Sequence, residues 1–391
     1  MKKLIFVSVL MILLLCCVSK QTFLTASAQV ESNEEIQQEL TDATNSQLEA
    51  LDLEKIEEYY SEFFETTDKD FKDLITEAVN GNSPISFETF SNYLKEEAYN
   101  IVLGNISLVL SLIILAFLSS LIQNFSTSKA NIKSVLNIVF VVMTAILLIY
   151  TSIDCITDAV STIKKVGKFS DAIFPVLVVL MIASGGATSG GIYQPIVATL
   201  STSIITVFSG IVITLIVVLF VLSILNNIVN EVKLNKLISF IASLIKWVIG
   251  VVFTIFITYA SLNGIMAGGK DGVSIKTAKY AIKSYVPMVG GYLSDSFEIF
   301  RAGSVILKNS IGVVGLFILI FVILIPAIKL IILNLMLKFA SGMVELAGEK
   351  NVGNLLHDVS KIFSFLLATI MAVFMMCFIL FILIIMTANM V

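Results

Sequence analysis

One histidine, four cysteines and a charged fraction of 14% leave this chain poorly supplied for polar chemistry. With His357 alone, a Ser-His-Asp system or a histidine-rich metal centre has little to draw on. Neither G-x-S-x-G nor H-E-x-x-H occurs. Gly264-Ile265-Met266-Ala267-Gly268-Gly269-Lys270 approaches a phosphate-binding loop. However, Asp271 stands where the metal-holding Ser or Thr belongs, and an apolar span rather than a strand precedes it. A loop after a membrane helix accounts for those glycines. Cys16 and Cys17 fall in an N-terminal apolar run, while Cys155 and Cys377 are far apart without metal-like spacing, so no disulfide framework is expected. These absences argue against an enzyme and imply neither a cofactor nor a metal.

What the chain has in abundance is apolar surface. Hydrophobic residues make up 57% and mean hydropathy is +0.96; soluble domains run nearer about 45–50% apolar and about 25% charged. The composition places the bulk of the chain in lipid and predicts an all-α, polytopic membrane protein. About 20 apolar residues at about 1.5 Å each cross a hydrocarbon core of about 30 Å. Clear spans are 101–122, 134–153, 207–228, 240–262, 311–335 and 364–388. With two ambiguous stretches, 172–206 and 286–306, residues 99–391 form a domain of six to eight spans.

Charge divides the chain. Residues 29–100 hold nineteen carboxylates against four lysines, a net −15, whereas the remainder from 101 onwards carries +8. The acidic head argues against nucleic acid as a partner, and the basic body suits anionic lipid. At the start, Met1-Lys2-Lys3 and the apolar run Leu4–Val18 precede Ala26-Ser27-Ala28, the small-x-small pattern of a signal cleaved after Ala28. Residues 1–28 then form a cleavable signal peptide, and 29–98 an acidic helical domain delivered outside the cytoplasm. In that head Leu53, Ile56, Tyr60, Phe63 and Phe64 recur at helical spacing behind Asp52, and Phe71, Leu74, Ile75 and Ala78 form a second stripe. A third helix opens at Ser86 and runs into the first span. Its acidic face reads as a solvated surface or as a docking surface for a partner.

The ambiguous stretches are rich in helix-breaking residues. The first holds Pro175, Gly185, Gly186, Gly190, Gly191 and Pro195; the second holds Pro287, Gly290 and Gly291. Unpaired backbone groups are costly in hydrocarbon, so a break must be buried in protein or line water. Residues 172–206 are therefore either a re-entrant hairpin or two short spans with a flexible outer loop. The two prolines lie 112 residues apart in similar surroundings, as a duplicated transport unit would place them. Lys276, Lys279 and Lys283 share one face of a predicted amphipathic helix, 274–286, suited to lie against anionic lipid. Counting crossings from an exported head puts this segment outside, yet its lysines favour the cytoplasmic side; a further span within 172–206 resolves the conflict. Pro326 should kink the fifth clear span, and Lys329 either lines an aqueous path or snorkels to an interface. All these break positions, with Lys329, are the candidate conduit. No Asp or Glu falls near the middle of the six clear spans, which counts against a proton-coupled carrier.

The strings Asp271-Gly272-Val273-Ser274-Ile275-Lys276-Thr277-Ala278-Lys279, Val289-Gly290, Leu307-Lys308-Asn309-Ser310 and Pro326-Ala327-Ile328-Lys329, with Pro287 and the Ser184-Gly185-Gly186 break, resemble the stage III sporulation protein AE family of endospore-forming bacteria. The layout of signal, short acidic head and many spans agrees. The resemblance implies an integral component of the multi-protein channel, or feeding tube, that joins mother cell to forespore and is required for endospore formation. It implies a mother-cell membrane location, with the head facing the space between the two membranes. The partners implied are the other stage III A sporulation membrane proteins and the forespore protein Q; self-association stays open. No catalytic residues are carried over. The competing reading is a stand-alone secondary transporter or permease.

Overall fold

The computed structural model describes residues 34–63, 70–81, 87–125, 130–228, 234–285 and 290–387. The expected signal peptide, its cleavage site at Ala28, and Pro287 lie outside these residues. Among the described residues every regular element is helical. Three short helices, α1 (Glu34–Ala50), α2 (Glu54–Phe63) and α3 (Phe71–Val79), build the acidic head. Then come α4 (Phe87–Phe125), α5 (Ala130–Ala183) and α6 (Ala187–Ser203). A π-helical segment, Ile204–Val212, leads into α7 (Ile213–Ile228). The chain closes with α8 (Asn235–Tyr285), α9 (Gly290–Leu346) and α10 (Lys350–Met386).

The apolar stripes read from the sequence are the buried faces. Leu53, Ile56 and Tyr60 are buried, as are Phe71, Leu74, Ile75 and Ala78. Asp70 caps α3 with a capping box closed by Asp73. Among the described residues six helices are long and apolar enough to cross a membrane: Phe90–Ile122, Val135–Ala183, Ile204–Ile228, Asn235–Ser261, Ser294–Leu346 and Lys350–Met386.

Helices α5, α8 and α9 hold 54, 51 and 57 residues. At about 1.5 Å per residue each exceeds about 75 Å, more than twice a hydrocarbon core of about 30 Å. Polar stretches that hydropathy treats as connectors are thus continuations of the spans. Helix α9 is the organising element. Antiparallel α5 sets Asp154 beside Lys329, Ile173 against Gly315 and Ser184 beside Arg301. Antiparallel α10 sets Ser364 beside Asn334 and Ile385 against Gly312. Helix α4 runs parallel to α9, from Phe90 on Phe321 to Ser119 on Glu349 beyond its end. The head docks on the first third of α9, where Gln47 Nε2 donates to the Phe300 carbonyl at 2.9 Å and Ser304 Oγ donates to Gln47 Oε1 at 2.9 Å.

Several expectations are corrected. Pro175 and Pro195 do not break their helices; each lies inside one. Proline removes one backbone bond, to the residue four before it, and at Pro175 the buried neighbours Ile173, Phe174 and Leu177 hold the helix on both sides. The second stretch has no break from 290 onwards, because Gly290 and Gly291 open a helix that continues through Pro326. Residues 274–285 are the last turns of α8 rather than a separate interfacial helix, and Gly264–Lys270 is helical rather than a loop. His357, the lone histidine, lies in α10.

Candidate functional site

Asp154 and Asp158 lie one turn apart on one face of α5. Lys329 comes to them from α9, its Nζ 2.6 Å from Asp154 Oδ2 and 2.5 Å from Asp158 Oδ2. The lysine side chain is 23% exposed, against 56% and 41% for its partners, so the pair is neither buried nor freely solvated. A groove of about 280 Å3 opens at this point, lined by Asp158, Ser161, Thr162, Lys165, Pro326 and Lys329, with Tyr93 of α4 at its wall. Pro326 has no N–H for the Val322 carbonyl, and both residues line the groove. Phe321 closes the α4 side, with ring centroids 5.0 Å from Phe90 and 6.1 Å from Tyr93. Lys329, expected to snorkel or to line an aqueous path, lines this groove and is held there by two carboxylates. Those carboxylates sit immediately beyond the 134–153 span, where hydropathy ends the helix and the chain does not.

The second feature is the elbow between α5 and α6. Gly185 takes a φ of +97°, with its N–H bonded to the Ile182 carbonyl at 3.0 Å and that of Gly186 to Met181 at 2.9 Å. This is the Schellman ending, which needs a left-handed residue after the helix. The Ser184 carbonyl, left over at the helix end, accepts from Arg301 Nε at 2.8 Å. Arg301 is the chain's one arginine. Across the elbow the helices touch closely: a Cβ on Gly190 would lie 2.2 Å from Ile182 Cγ1, whereas one on Gly191 would meet nothing within 4 Å. Nearby, fully buried Lys308 donates from Nζ to the carbonyl of Thr387, the C-cap of α10. A cation at a helix C-terminus satisfies its free carbonyls and its dipole. Gly185→Ala should therefore lower the melting temperature through about 1–2 kcal/mol of left-handed strain, while Gly191→Ala should leave it unchanged or raise it slightly; detergent-solubilised melts measure both.

Of the sequence-based candidates, the elbow gathers Gly185, Gly186 and Gly190, while Lys329 and Pro326 belong to the groove. Pro175 and Pro195 belong to neither set of contacts above. The backbone of α8 carries Lys276, Lys279 and Lys283, whose side chains, like those of Gly290 and Gly291's surroundings, lie outside what is described. Sequence reasoning missed Asp154, Asp158, Arg301 and Lys308. A lone arginine next to a span was the available signal for Arg301. Among the described residues no group of three or more His, Cys, Asp or Glu is placed to hold a metal ion, and Cys155 and Cys377 are buried and unbridged.

Six membrane-length helices among the described residues, with a small helical head and a charged groove among α4, α5 and α9, define a polytopic α-helical membrane protein. Residues 69–388 match the family model of stage III sporulation protein AE, and the chain belongs to that family. It is 26% identical over 359 residues to the stage III sporulation protein AE of Bacillus subtilis (strain 168), covering 90% of this chain and 88% of that protein. No solved structure matches. A role in sporulation follows from the family.

Proposed function

We propose that this chain is an integral membrane component of the channel apparatus that joins mother cell to forespore and is required to complete the endospore. The observation that carries this reading is the family match across 69–388, supported by helices long enough to span a bilayer. In this reading the protein resides in the mother-cell membrane and its head faces the space between the two membranes. It assembles there with the other stage III A sporulation membrane proteins and the forespore protein Q. The end of α8, with Lys276, Lys279 and Lys283, lies against anionic headgroups. Of the candidate conduit positions, Pro326 and Lys329 line one groove, and the conduit role is assigned there.

Deleting the gene in its own host tests the proposal. Engulfment should complete, then forespores should shrink and heat-resistant spores should be lost, with rescue by the gene expressed only in the mother cell. Normal spore yield in the deletion strain would overturn it. One observation favours a second reading, a carrier acting alone: Asp154 and Asp158 supply charges within a membrane-length helix that hydropathy had denied. Transport of a solute by the purified chain in liposomes, with no partner present, is the outcome that reading requires.

A further inference from the structure

Helices α4 and α5 mark where the bilayer ends on their side of the bundle. Residues 102–122 of α4 and 135–153 of α5 hold no charge. Each run has about 20 residues and is about 30 Å long, the thickness of one hydrocarbon core. Their outer faces are bare apolar side chains, among them Leu103, Ile106 and Ile114 on α4 and Val139, Met143 and Ile146 on α5. At one end both runs turn polar within a few residues. Tyr99, 64% exposed, and Tyr150, 82% exposed, stand at that change, and tyrosine gathers at the headgroup level of a membrane. Beyond them the exposed residues are Asn92, Lys95 and Glu96 on α4 and Asp154, Ser161 and Lys164 on α5.

The groove opens at this boundary, and it ties the two polar ends together, because Tyr93 of α4 and Asp158 of α5 both line it. Asp154 and Asp158 lie within about 8 Å of the last apolar residue, Ile153, along the helix, the depth of a headgroup layer. Both signs of charge meet here. Asp158, Lys165 and Lys329 line the groove, and Asp154 holds Lys329 from beside it. A ligand of one sign would meet a like charge as well as an opposite one, whereas a zwitterion finds a partner for each end. Acceptors for an N–H are the Asp158 carboxylate and the Val322 carbonyl, to which Pro326 brings no donor. A primary ammonium has N–H groups to give them and a quaternary one has none. Ser161 and Lys165 offer donors to a phosphate, and Phe321 and Ile325 give the apolar side that the glycerol end of a lipid needs.

We propose that the groove among α4, α5 and α9 binds the headgroup of a zwitterionic phospholipid with a primary amine, an ethanolamine lipid, whose acyl chains lie on the bare wall of α4 and α5. It rests on the chain spanning a bilayer, as above, and gives the groove a ligand class. A headgroup seated there fills the space assigned to the conduit, so a solute passing Lys329 must displace it.

The test uses the full chain purified in detergent. Phosphatidylethanolamine, phosphatidylcholine and phosphatidylglycerol with the same acyl chains are offered in turn, and native mass spectrometry reads the lipid retained. The ethanolamine lipid should be held about tenfold more tightly than the other two, the worth of about one charge-assisted hydrogen bond. Ser161→Trp, at an exposed position on the groove wall, should bring it down to the level of the choline lipid. Leu110→Trp, at a position 52% exposed on the apolar wall, should keep the preference. Should Ser161→Trp fail to fold, Ile325→Trp fills the same groove from α9 and carries the same expectation. Three lipids retained alike overturn the proposal, as does a preference for the glycerol lipid or one for ethanolamine that survives both groove variants. O-phosphoethanolamine, the headgroup without its tails, should compete only weakly; full competition at equal concentration makes the ligand a soluble zwitterion and overturns the lipid assignment. A sporulation defect on deletion with no lipid preference sinks this site alone; a preference with normal sporulation sinks the channel role alone.

Discussion

Lys329→Met should lower the melting temperature and the amount of protein in the membrane fraction, and adding Asp154→Asn with Asp158→Asn to the same chain should restore both. The single change leaves two carboxylates facing each other across one turn of α5 with their shared cation gone. Deep burial would make the loss about 3–5 kcal/mol, and full exposure would make it under about 1 kcal/mol. The exposures of 23%, 56% and 41% place the cluster between these limits, and a cost of about 2 kcal/mol is expected. That is a large fraction of a typical stability of about 5–15 kcal/mol. Neutralising both carboxylates removes the repulsion without restoring the ion pair, so the triple variant should accumulate and melt close to wild type. Lys329→Arg should be tolerated. Immunoblots of membranes and melts in detergent read these outcomes. Equal accumulation of wild type and Lys329→Met would show that the cluster is solvated and contributes nothing to the fold.

The reason this cluster escaped the sequence is instructive about hydropathy. A window of 20 residues finds where lipid-compatible surface lies, and it found all six long helices. It says nothing about where a helix ends. Residues 154–171 contain Asp154, Asp158, Lys164, Lys165, Lys168 and Asp171 and read as a connector. They are helical because the face carrying Cys155, Ala159, Ile163 and Val166 is buried against the bundle. That period of about 3.6 residues was present in the sequence, masked by the charges on the other face. Head helices were easier to read, since Phe71, Leu74, Ile75 and Ala78 recur at the same period in a polar background. Proline misled in the opposite direction. Its local penalty of about 3 kcal/mol is a property of an isolated helix, and packing around Pro175 outweighs it. In the first ambiguous stretch the glycine signal worked where the backbone needs it, at Gly185, whose φ of +97° no spacing rule distinguishes from the helical Gly190 five residues on.

Two further glycines, Gly312 and Gly315, lie inside the fifth clear span, where hydropathy is blind to their purpose. A Cβ on Gly315 would stand 2.5 Å from Ile173 Cδ1 of α5 and 2.7 Å from Phe381 Cε1 of α10. One on Gly312 would stand 2.5 Å from Ile385 Cγ1. At Gly315 side chains of α5 and α10, and at Gly312 one of α10, press against the bare backbone of α9, the use to which small residues are put in membranes. Above them α9 carries Arg301 to Ser184 and Lys308 to Thr387, so a displaced α9 loses both helix-end contacts together with the packing. Gly315→Val should therefore cost more than the about 1–3 kcal/mol of a single overpacked core site, and the variant should fail to accumulate. Gly315→Ala should be destabilised less and should be partly rescued by Phe381→Leu, which withdraws the ring from the added methyl. Gly342→Ala, also in α9 but with nothing within 4 Å of its Cβ, should be neutral or slightly stabilising. If Gly315→Ala and Gly342→Ala melt alike, the close approach of α5, α9 and α10 is not what holds the bundle together.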